Sequence, residues 1–559
     1  MQEIKVLIIG LDGATWDLIK PWAEEGKLST FKKLTENGTW GFLESTIPYI
    51  TLPAWISMIT GKNPGKIGYV HFFMRDKESY NFRFVKPKVE SLNPIWKLLK
   101  LKGNRTSFIL KIPTIPRDAY MEVYLKGEFV FDDVVFTGRE KELLKKIRRD
   151  NSPPVKHNKE YILWHADQIE KELDLIKYIL KNSQKYSWDF IISVIYSIDH
   201  LSHLFWKFID KNHPNYTQNK DIQEAIMKYY SILDSKLDEI CEICREKGII
   251  LFVTSDHGHG PLRKRVNLNK WLIENGYMRL LRPVTKEQNA RVLLQKLAIK
   301  MRNWRIPYRL YQILPERIKE HLRKKLHLQL DIETKNIDWE HTKAYFSGYN
   351  GININLKRRE SRGIISGKEY DDLVFEISEK LRAVKDPEIG KPIVKNIWEK
   401  YELYTGDFVE NLPDIIIEYS GESEYESVLG FNEQYLVDKP LFYNSEVSSA
   451  HKRNGIFLVY GPGIKRDQKV DAKIYDIAPT ILHIFGLAIP NDMDGRVLME
   501  IFEEDSEFAK RKPKYVDPSY YEKKQEIEEK IGREKEEEEY SEEEERLIKE
   551  RLRALGYLE

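Results

Sequence analysis

The sequence contains few cysteines and no long apolar segment. Only Cys241 and Cys244 occur in 559 residues, which excludes a disulfide scaffold and is typical of a reducing compartment. No stretch approaches the roughly 20 apolar residues of a membrane-spanning helix. The opening segment MQEIKVLIIGLDG does not have the layout of a secretory signal peptide. We therefore expect a cytoplasmic protein without a transmembrane segment.

The two cysteines form a CxxC pair inside a helical pattern. A zinc ribbon would need a second such pair, and the sequence has none. We interpret Cys241 and Cys244 as buried structural thiols.

The chain also lacks an excess of charge of one sign. Its 90 Lys and Arg residues are balanced by 88 Asp and Glu residues, which give a net charge of +2. This balance argues against a surface built for nucleic acid, so we expect no stable nucleic-acid complex. Hydrophobic residues make up 41% of the chain, enough for a large core and too many for global disorder. The oligomeric state is not indicated.

Apolar runs alternate with amphipathic helical patterns through much of the chain. This alternation predicts an α/β fold with a doubly wound, mostly parallel sheet and helices on both faces. Helices are predicted over residues 16–25, 29–36, 53–60, 223–247 and 474–485. Strands are predicted over residues 4–10, 105–111, 189–196, 249–254 and 455–460, with the sheet resuming near 343–356 and 414–419.

Changes in composition divide the chain into a core and two additions. Residues 286–327 include 12 basic and three acidic residues, with aromatic residues interleaved. The C-terminal stretch from 517 to 559 has 16 acidic and nine basic residues. We expect a core of residues 1–275 and 336–510, a basic helical insertion or cap over 276–335, and a charged, helical tail over 511–559.

Three apolar strands each end in residues that bind metals well. In an open α/β sheet, ligands bind beyond the carboxyl ends of the strands, so three such ends suggest one metal centre. Carboxylates and imidazoles suit zinc, and also manganese or iron. Taken singly, the same residues could form an Asp-Gly turn, an i, i+4 helix pair or a polar loop. The candidates are Asp12, then Asp199, His200 and His203, then Asp256, His257 and His259.

A hydroxyl precedes another predicted helix. Thr51 stands directly before Leu52, Pro53 and an apolar helical stretch. Backbone N–H groups and the helix dipole stabilise negative charge at such a position, and a nearby metal would lower the hydroxyl pKa. The alternative is that Thr51 only caps the helix.

Six segments resemble, in order, the type I phosphodiesterase/nucleotide pyrophosphatase branch of the alkaline phosphatase superfamily. The segments are LDGATWD, TLPAWISMITGKNPGKIG, DHLSH, SDHGHG, HKRNGIFLVYGPGIK and YDIAPTILHIFGLAIPNDMDGRVL. Together they span about residues 4 to 500. The resemblance implies an alkaline phosphatase-like fold and two divalent metal ions, expected to be zinc, with manganese or iron as alternatives.

The resemblance also implies roles for individual residues. Thr51 would attack phosphorus, form a phospho-threonine and then be released by water. His451 is chosen only by its place in the family order, whereas His200 and His259 match no ligand position. One metal would be held by Asp12, Thr51, Asp256 and His257, and the other by Asp199, His203 and His451.

One segment departs from the family pattern. Many nucleotide-cleaving members carry an Asn shortly after the TG-Pro-Gly segment, where it contacts a phosphate oxygen. Here no Asn occurs before Asn81, and His71 or Arg75 are the candidates to replace it. The departure argues against nucleotide substrates.

These observations predict a metal-dependent hydrolase of phosphate esters, either a phosphodiesterase or a phosphomonoesterase, that acts on a small phosphorylated substrate. A phosphomutase or phosphotransferase would use the same residues. A third alternative is a non-enzymatic protein in which the basic residues of 286–327 bind polyanions. Two equivalents of bound metal would favour an enzyme, and none would favour the binding protein.

Overall fold

The computed structural model describes residues 4–85, 87–112, 123–124, 158–184, 186–281, 334, 336–348, 350–428, 439–522 and 552. Its strands are, in chain order, β1 Lys5–Leu11, β2 Thr39–Glu44, β3 Phe73–Arg75, β4 Phe82–Phe84, β5 Ser107–Lys111, β6 Val123–Tyr124, β7 Phe190–Ile195, β8 Ile249–Thr254, β9 Gly258–Pro261, β10 Lys264–Val266, β11 Ala344–Gly348, β12 Gly351–Ile354, β13 Val394–Glu399, β14 Ile415–Tyr419, β15 Tyr425–Glu426, β16 Phe442–Tyr443, β17 Ser449–Lys452, β18 Asn454–Tyr460, β19 Gln468–Lys469, β20 Ala472–Lys473, β21 Ile489–Pro490 and β22 Tyr515–Val516.

The helices of the described residues surround these strands. They are α1 Trp16–Glu24, α2 Ser29–Asn37, α3 Thr51–Thr60, α4 Pro64–Ile67, α5 Ile95–Gly103, α6 Lys159–Lys181, α7 Ser197–Ile209, α8 Lys220–Lys247, α9 Leu268–Glu274, α10 Gly367–Arg382, α11 Lys400–Leu403, α12 Ile477–Ile484, α13 Glu507–Lys510 and α14 Ser519–Glu522. None of these helices is both long enough and apolar enough to cross a membrane.

A nine-stranded sheet forms the centre of the molecule. Its order is β19-β2-β18-β8-β1-β7-β5-β6, and β20 also pairs with β2. Among the described strands of this sheet, β18 alone runs opposite to the others. The prediction of a mostly parallel sheet within an α/β fold is therefore confirmed.

The central strand β1 is buried on both faces, as its continuous apolar sequence requires. Val6 and Ile8 belong to one hydrophobic cluster, and Leu7 and Ile9 belong to a second. Successive side chains of a strand point to opposite faces, so these two clusters are the cores on the two sides of the sheet. Helices cover both faces.

The parallel neighbours of β1 end level with it. Leu11 pairs with Ile195 of β7, and Gly10 pairs with Thr254 of β8. The residues that follow these three strands therefore emerge at one edge of the sheet, which is the edge where a ligand site was predicted.

The prediction that the central sheet resumes near 343–356 and 414–419 is wrong. These residues form a separate antiparallel sheet of order β11-β12-β14-β13, with α10 packed beside it. Between β11 and β12 the chain turns back at Asn350, whose φ is 59°. A tight turn of this kind makes an antiparallel hairpin, which cannot join strands of a parallel sheet.

The two predicted additions fall largely outside the described residues. Only 276–281, 334 and part of the tail are described, so the helical insertion and the three-part division remain predictions. The described residues of the tail pack on the core. Tyr515 and Val516 pair with β21, the Tyr521 hydroxyl donates to the Ala488 carbonyl, and Leu552 is buried in a core cluster.

Both cysteines lie in α8 and are buried free thiols. Burial raises the pKa of the Cys241 thiol to about 12. A thiol of this kind is unreactive, as a structural role requires.

Candidate metal centre

The predicted ligand residues that follow the three central strands meet at one place. Asp12 comes directly after β1, and Asp256 and His257 come after β8. Asp199 lies in the first turn of α7, which follows β7, and His203 lies one turn further along the same helix face. All five side chains are buried.

The first group of candidate ligands consists of Asp12, Asp256 and His257. One ligand atom from each side chain lies within 4.8 Å of the others. His257 Nε2 is 3.1 Å from Asp256 Oδ2 and 3.8 Å from Asp12 Oδ1. Thr51 Oγ1 lies 3.2 Å from the same His257 nitrogen, so the predicted nucleophile adjoins this group.

The second group consists of Asp199, His203, His451 and His259, whose ligand atoms meet the same distance limit. Asp199 Oδ1 is 3.4 Å from His203 Nε2 and 3.2 Å from His451 Nε2. It is 2.8 Å from His259 Nε2. The group therefore contains every residue predicted for the second metal, and His259 in addition.

The two groups adjoin each other. The rings of His257 and His451 stack with centroids 3.6 Å apart and an angle of 22° between their planes. One ring belongs to each group, so the arrangement provides two neighbouring clusters of donors.

The structure also settles how Thr51 relates to its helix. Thr51 is the first residue of α3, and the N-cap is Ile50, which makes no side-chain cap. The alternative that Thr51 only caps the helix is therefore wrong. Its side chain is buried and points to His257.

The hydrogen bonds of three histidines show that the site fits a cation. Nδ1 of His203, His257 and His451 faces the backbone carbonyls of Ser449, Gly258 and Tyr49, at 3.0, 3.3 and 3.0 Å respectively. A carbonyl only accepts, so each Nδ1 carries the proton and each Nε2 presents its lone pair.

Two of these lone pairs face each other. The Nε2 atoms of His203 and His451 are 3.1 Å apart, beside the carboxylate of Asp199. Atoms that can only accept are stable at this distance when a cation lies among them. Imidazole and carboxylate donors are those that zinc and similar divalent ions prefer.

Burial and mutual contact shift the pKa values of these groups. Burial raises the pKa of Asp256 well above its ordinary value and lowers that of His257 well below. Burial alone would also raise the pKa of Asp199. When no cation is bound and these rings are protonated, the charge of His203 and hydrogen bonds from the three imidazoles outweigh burial and hold the pKa of Asp199 well below its ordinary value.

Some supporting residues were not predicted from the sequence. The indole Nε1 of Trp55 donates to Asp12 Oδ2 at 2.9 Å, and the Gly13 backbone N–H donates to Asp256 Oδ1 at 3.1 Å. The spacing of Trp55, four residues after Thr51 on one helix face, is the signal that could have indicated its position. Gly10 leaves room for its ring, since a Cβ there would lie 2.4 Å from an indole carbon.

Three residues considered from the sequence do not join the donor groups. Arg75 is buried against Tyr345 and Glu360. His71 is buried, and its Nδ1 accepts from the Phe73 N–H at 3.1 Å. His200 packs instead against the ring of His165, with centroids 5.7 Å apart.

Two solved structures align with most of the chain. Phosphonoacetate hydrolase from Sinorhizobium meliloti, solved in complex with phosphonoacetate, is 12% identical, with a TM-score of 0.47. Human ectonucleotide pyrophosphatase/phosphodiesterase 5 is 13% identical, with a TM-score of 0.45. Each alignment covers 87% of this chain and 96% of the other.

Sequence comparison adds one local similarity and one extended match. A 2,3-bisphosphoglycerate-independent phosphoglycerate mutase from Bacteroides thetaiotaomicron is 33% identical over 85 residues. The chain covers only 17% of that mutase, and the match involves 15% of this chain. The model of the type I phosphodiesterase/nucleotide pyrophosphatase family, in contrast, matches residues 6–427. The chain therefore belongs to the type I phosphodiesterase/nucleotide pyrophosphatase family.

Proposed function

We propose that the protein hydrolyses phosphate esters with the help of two divalent metal ions, and that Thr51 is the nucleophile. The observation that carries this proposal is the position of the Thr51 hydroxyl. It is buried at the N-terminus of a ten-residue helix, 3.2 Å from a histidine of one donor group. Family membership supports phosphate ester hydrolysis as the general reaction.

The two donor groups are the proposed metal sites. Zinc is the first expectation, because both groups combine imidazole with carboxylate. Bound divalent ions would supply Lewis-acid stabilisation of the charge on the phosphoryl group. One ion would be held by Asp12, Thr51, Asp256 and His257, and the other by Asp199, His203 and His451.

The chain's own residues prepare Thr51 for attack. Because Nδ1 of His257 donates to the Gly258 carbonyl, His257 Nε2 presents a lone pair 3.2 Å from Thr51 Oγ1, so the same cation could be held by both atoms. The Thr51 oxygen keeps a second lone pair for attack on phosphorus. The new bond joins Thr51 Oγ1 to phosphorus as the bond from phosphorus to the leaving oxygen breaks, and the hydroxyl proton passes through solvent to the leaving oxygen, which departs as an alcohol. Water then attacks phosphorus and breaks its bond to Thr51 Oγ1, which returns to a hydroxyl; the product is phosphate from a monoester substrate or a monoester from a diester.

The start of α3 favours an anionic substrate. The first N–H groups of a helix have no partner within the helix, and they lie at the positive end of its dipole. At this helix end they lie next to Thr51, where negative phosphoryl oxygens would gather.

The second candidate function is phosphoryl transfer to an alcohol. The local similarity to a phosphoglycerate mutase favours it, and the same nucleophile would serve. The acceptor separates the two functions: transfer to water gives inorganic phosphate, whereas transfer to an alcohol gives a second phosphate ester.

The proposal is tested by incubating purified protein, with added Zn²⁺ or Mn²⁺, with phosphate monoesters, diesters and sulfate esters. We expect release of inorganic phosphate or a monoester, and a phosphorylated Thr51 peptide in acid-quenched samples. A protein that binds no metal and cleaves none of these esters would contradict the proposal and favour polyanion binding.

A further inference from the structure

We infer that His259 is a fourth protein ligand of the metal site formed by Asp199, His203 and His451. This inference depends on the metal site proposed above but concerns a residue that the family resemblance leaves without a role. His259 is completely buried, and its Nε2 is grouped with the ligand atoms of the other three residues.

The first argument is that three imidazoles converge on one oxygen. His203, His451 and His259 all direct Nε2 to Asp199 Oδ1, at 3.4, 3.2 and 2.8 Å respectively. His259 therefore faces the same oxygen that the two predicted ligands face, and the three imidazole nitrogens lie around one point.

The second argument concerns the proton on the His259 ring. Nδ1 of His259 lies 2.9 Å from the Ser449 hydroxyl, which can either donate or accept. When the hydroxyl accepts from Nδ1, His259 Nε2 presents a lone pair, as His203 and His451 do. Metal-binding histidines commonly donate their second ring N–H to an oxygen in this way.

The third argument is that the backbone reserves space for the ring. Gly13 has a φ of +71°, and a Cβ at this position would lie 2.6 Å from His259 Cδ2 and 2.8 Å from Nε2. Strands β9 and β17 also pair His259 directly with His451. The ring is therefore held beside a predicted ligand, with its Nε2 directed to Asp199.

The inference makes the two sites different. The site at Asp199 has three imidazoles and one carboxylate, whereas the site at Asp256 has one imidazole and two carboxylates beside Thr51. Additional nitrogen donors favour zinc, iron or cobalt over magnesium or calcium. We expect the site at Asp199 to bind Zn²⁺ more tightly than the site at Asp256.

The deciding experiment is a crystal structure of the full chain loaded with Zn²⁺, using anomalous scattering at the zinc edge. We expect an ion about 2.0–2.1 Å from His259 Nε2 and from the two other imidazoles of the site. The opposite result would be an ion that is bound by Asp199, His203 and His451 but lies more than about 3 Å from His259 Nε2, beyond bonding distance. It would overturn this inference but not the proposed function. Absence of zinc from both sites would overturn both.

Solution measurements with Co²⁺ give a second test. In His259→Gln, we expect the visible absorption of Co²⁺ to change shape, and its affinity at this site to fall beyond the roughly 10- to 100-fold cost of a lost outer contact. His200→Gln is the matched control, because His200 is a buried neighbour of Asp199 outside both donor groups. A Co²⁺ spectrum in His259→Gln identical to that of wild type would contradict the inference.

Discussion

His451 lies directly opposite His259 across the antiparallel pair of β9 and β17. The Ser449 carbonyl on the same strand accepts from His203, so β17 supplies one ligand and orients another. This strand pair connects the late part of the chain to the loop that follows β8. It thereby completes a donor group that the three parallel strands alone would leave with fewer imidazoles.

Thr51→Ala should lower kcat by roughly 10³-fold or more, because it removes the attacking oxygen. Thr51→Ser keeps the hydroxyl and should retain part of the activity. Steady-state kinetics on the best ester found in the screen measures both effects. Thr60→Ala is the matched control, since its hydroxyl donates to the Ile56 carbonyl at the far end of α3. Wild-type kcat in Thr51→Ala would show that water attacks phosphorus directly.

Trp55→Phe should weaken metal binding at Asp12 by about 10- to 100-fold, because it removes the N–H that orients this carboxylate. The phenyl ring keeps most of the packing, so the fold should persist. Competition with a chromophoric chelator measures the affinity.

Trp188→Phe provides the comparison for this variant. Trp188 is equally buried but belongs to the opposite core, and its Nε1 has no hydrogen-bond partner among the described residues. An equal loss of metal affinity in both variants would show that packing, not the hydrogen bond to Asp12, is responsible.

The strand-end residues could be predicted because their positions depend on local sequence. An apolar run such as β1 or β8 defines a buried strand, and the polar residue after it must emerge at the sheet edge. Asp12, Asp256 and His257 required no further information. Asp199 and His203 required only the helical spacing of four residues.

Other parts of the site depend on contacts between distant segments. Local sequence gives no reason for His451 to leave the surface, because its burial results from the pairing of β17 with β9. His259 looks like part of a polar loop until this pairing places it beside Asp199. The antiparallel sheet was missed for a similar reason: β12 and β14 have apolar sequences that would suit either sheet.

Removal of residues 523–559 should leave the metal content unchanged, because none of the candidate ligands lies there. Removal of residues 517–559 should also leave the metal sites intact, but it should lower the melting temperature more than the shorter deletion does. The longer deletion takes away Tyr521, whose buried ring is worth roughly 3 kcal/mol on the scale of large-to-small core substitutions. Elemental analysis and thermal unfolding of both truncations measure these effects. Loss of metal from a folded truncation would contradict the placement of the ligands.

We expect Asp414 to stabilise the antiparallel sheet in a pH-dependent way. It is fully buried, and its oxygens accept two hydrogen bonds of 2.6 Å from Arg359 and one of 2.7 Å from the Ile354 N–H. Burial alone would raise its pKa, but the hydrogen bonds and charge of Arg359, with the charge of Lys400, hold the pKa below its ordinary value.

Asp414→Asn should therefore lower the free energy of unfolding by about 3–5 kcal/mol at pH 7, because it removes one of the two carboxylates that pair with the buried Arg359, the other being Glu360. A group whose folded pKa is depressed stabilises the protein above its unfolded pKa and loses that effect as the pH falls through the folded value. The difference between wild type and Asp414→Asn should therefore shrink below about pH 4. Urea unfolding at several pH values measures this difference.

Asp17→Asn is the control, because it breaks the exposed pair with Lys452. It should lower the free energy of unfolding by at most about 1 kcal/mol at any pH. The loss of unfolding free energy in Asp414→Asn should not stay constant when the pH falls to about 2. A constant loss would show that the charge of Asp414 is not what stabilises the sheet.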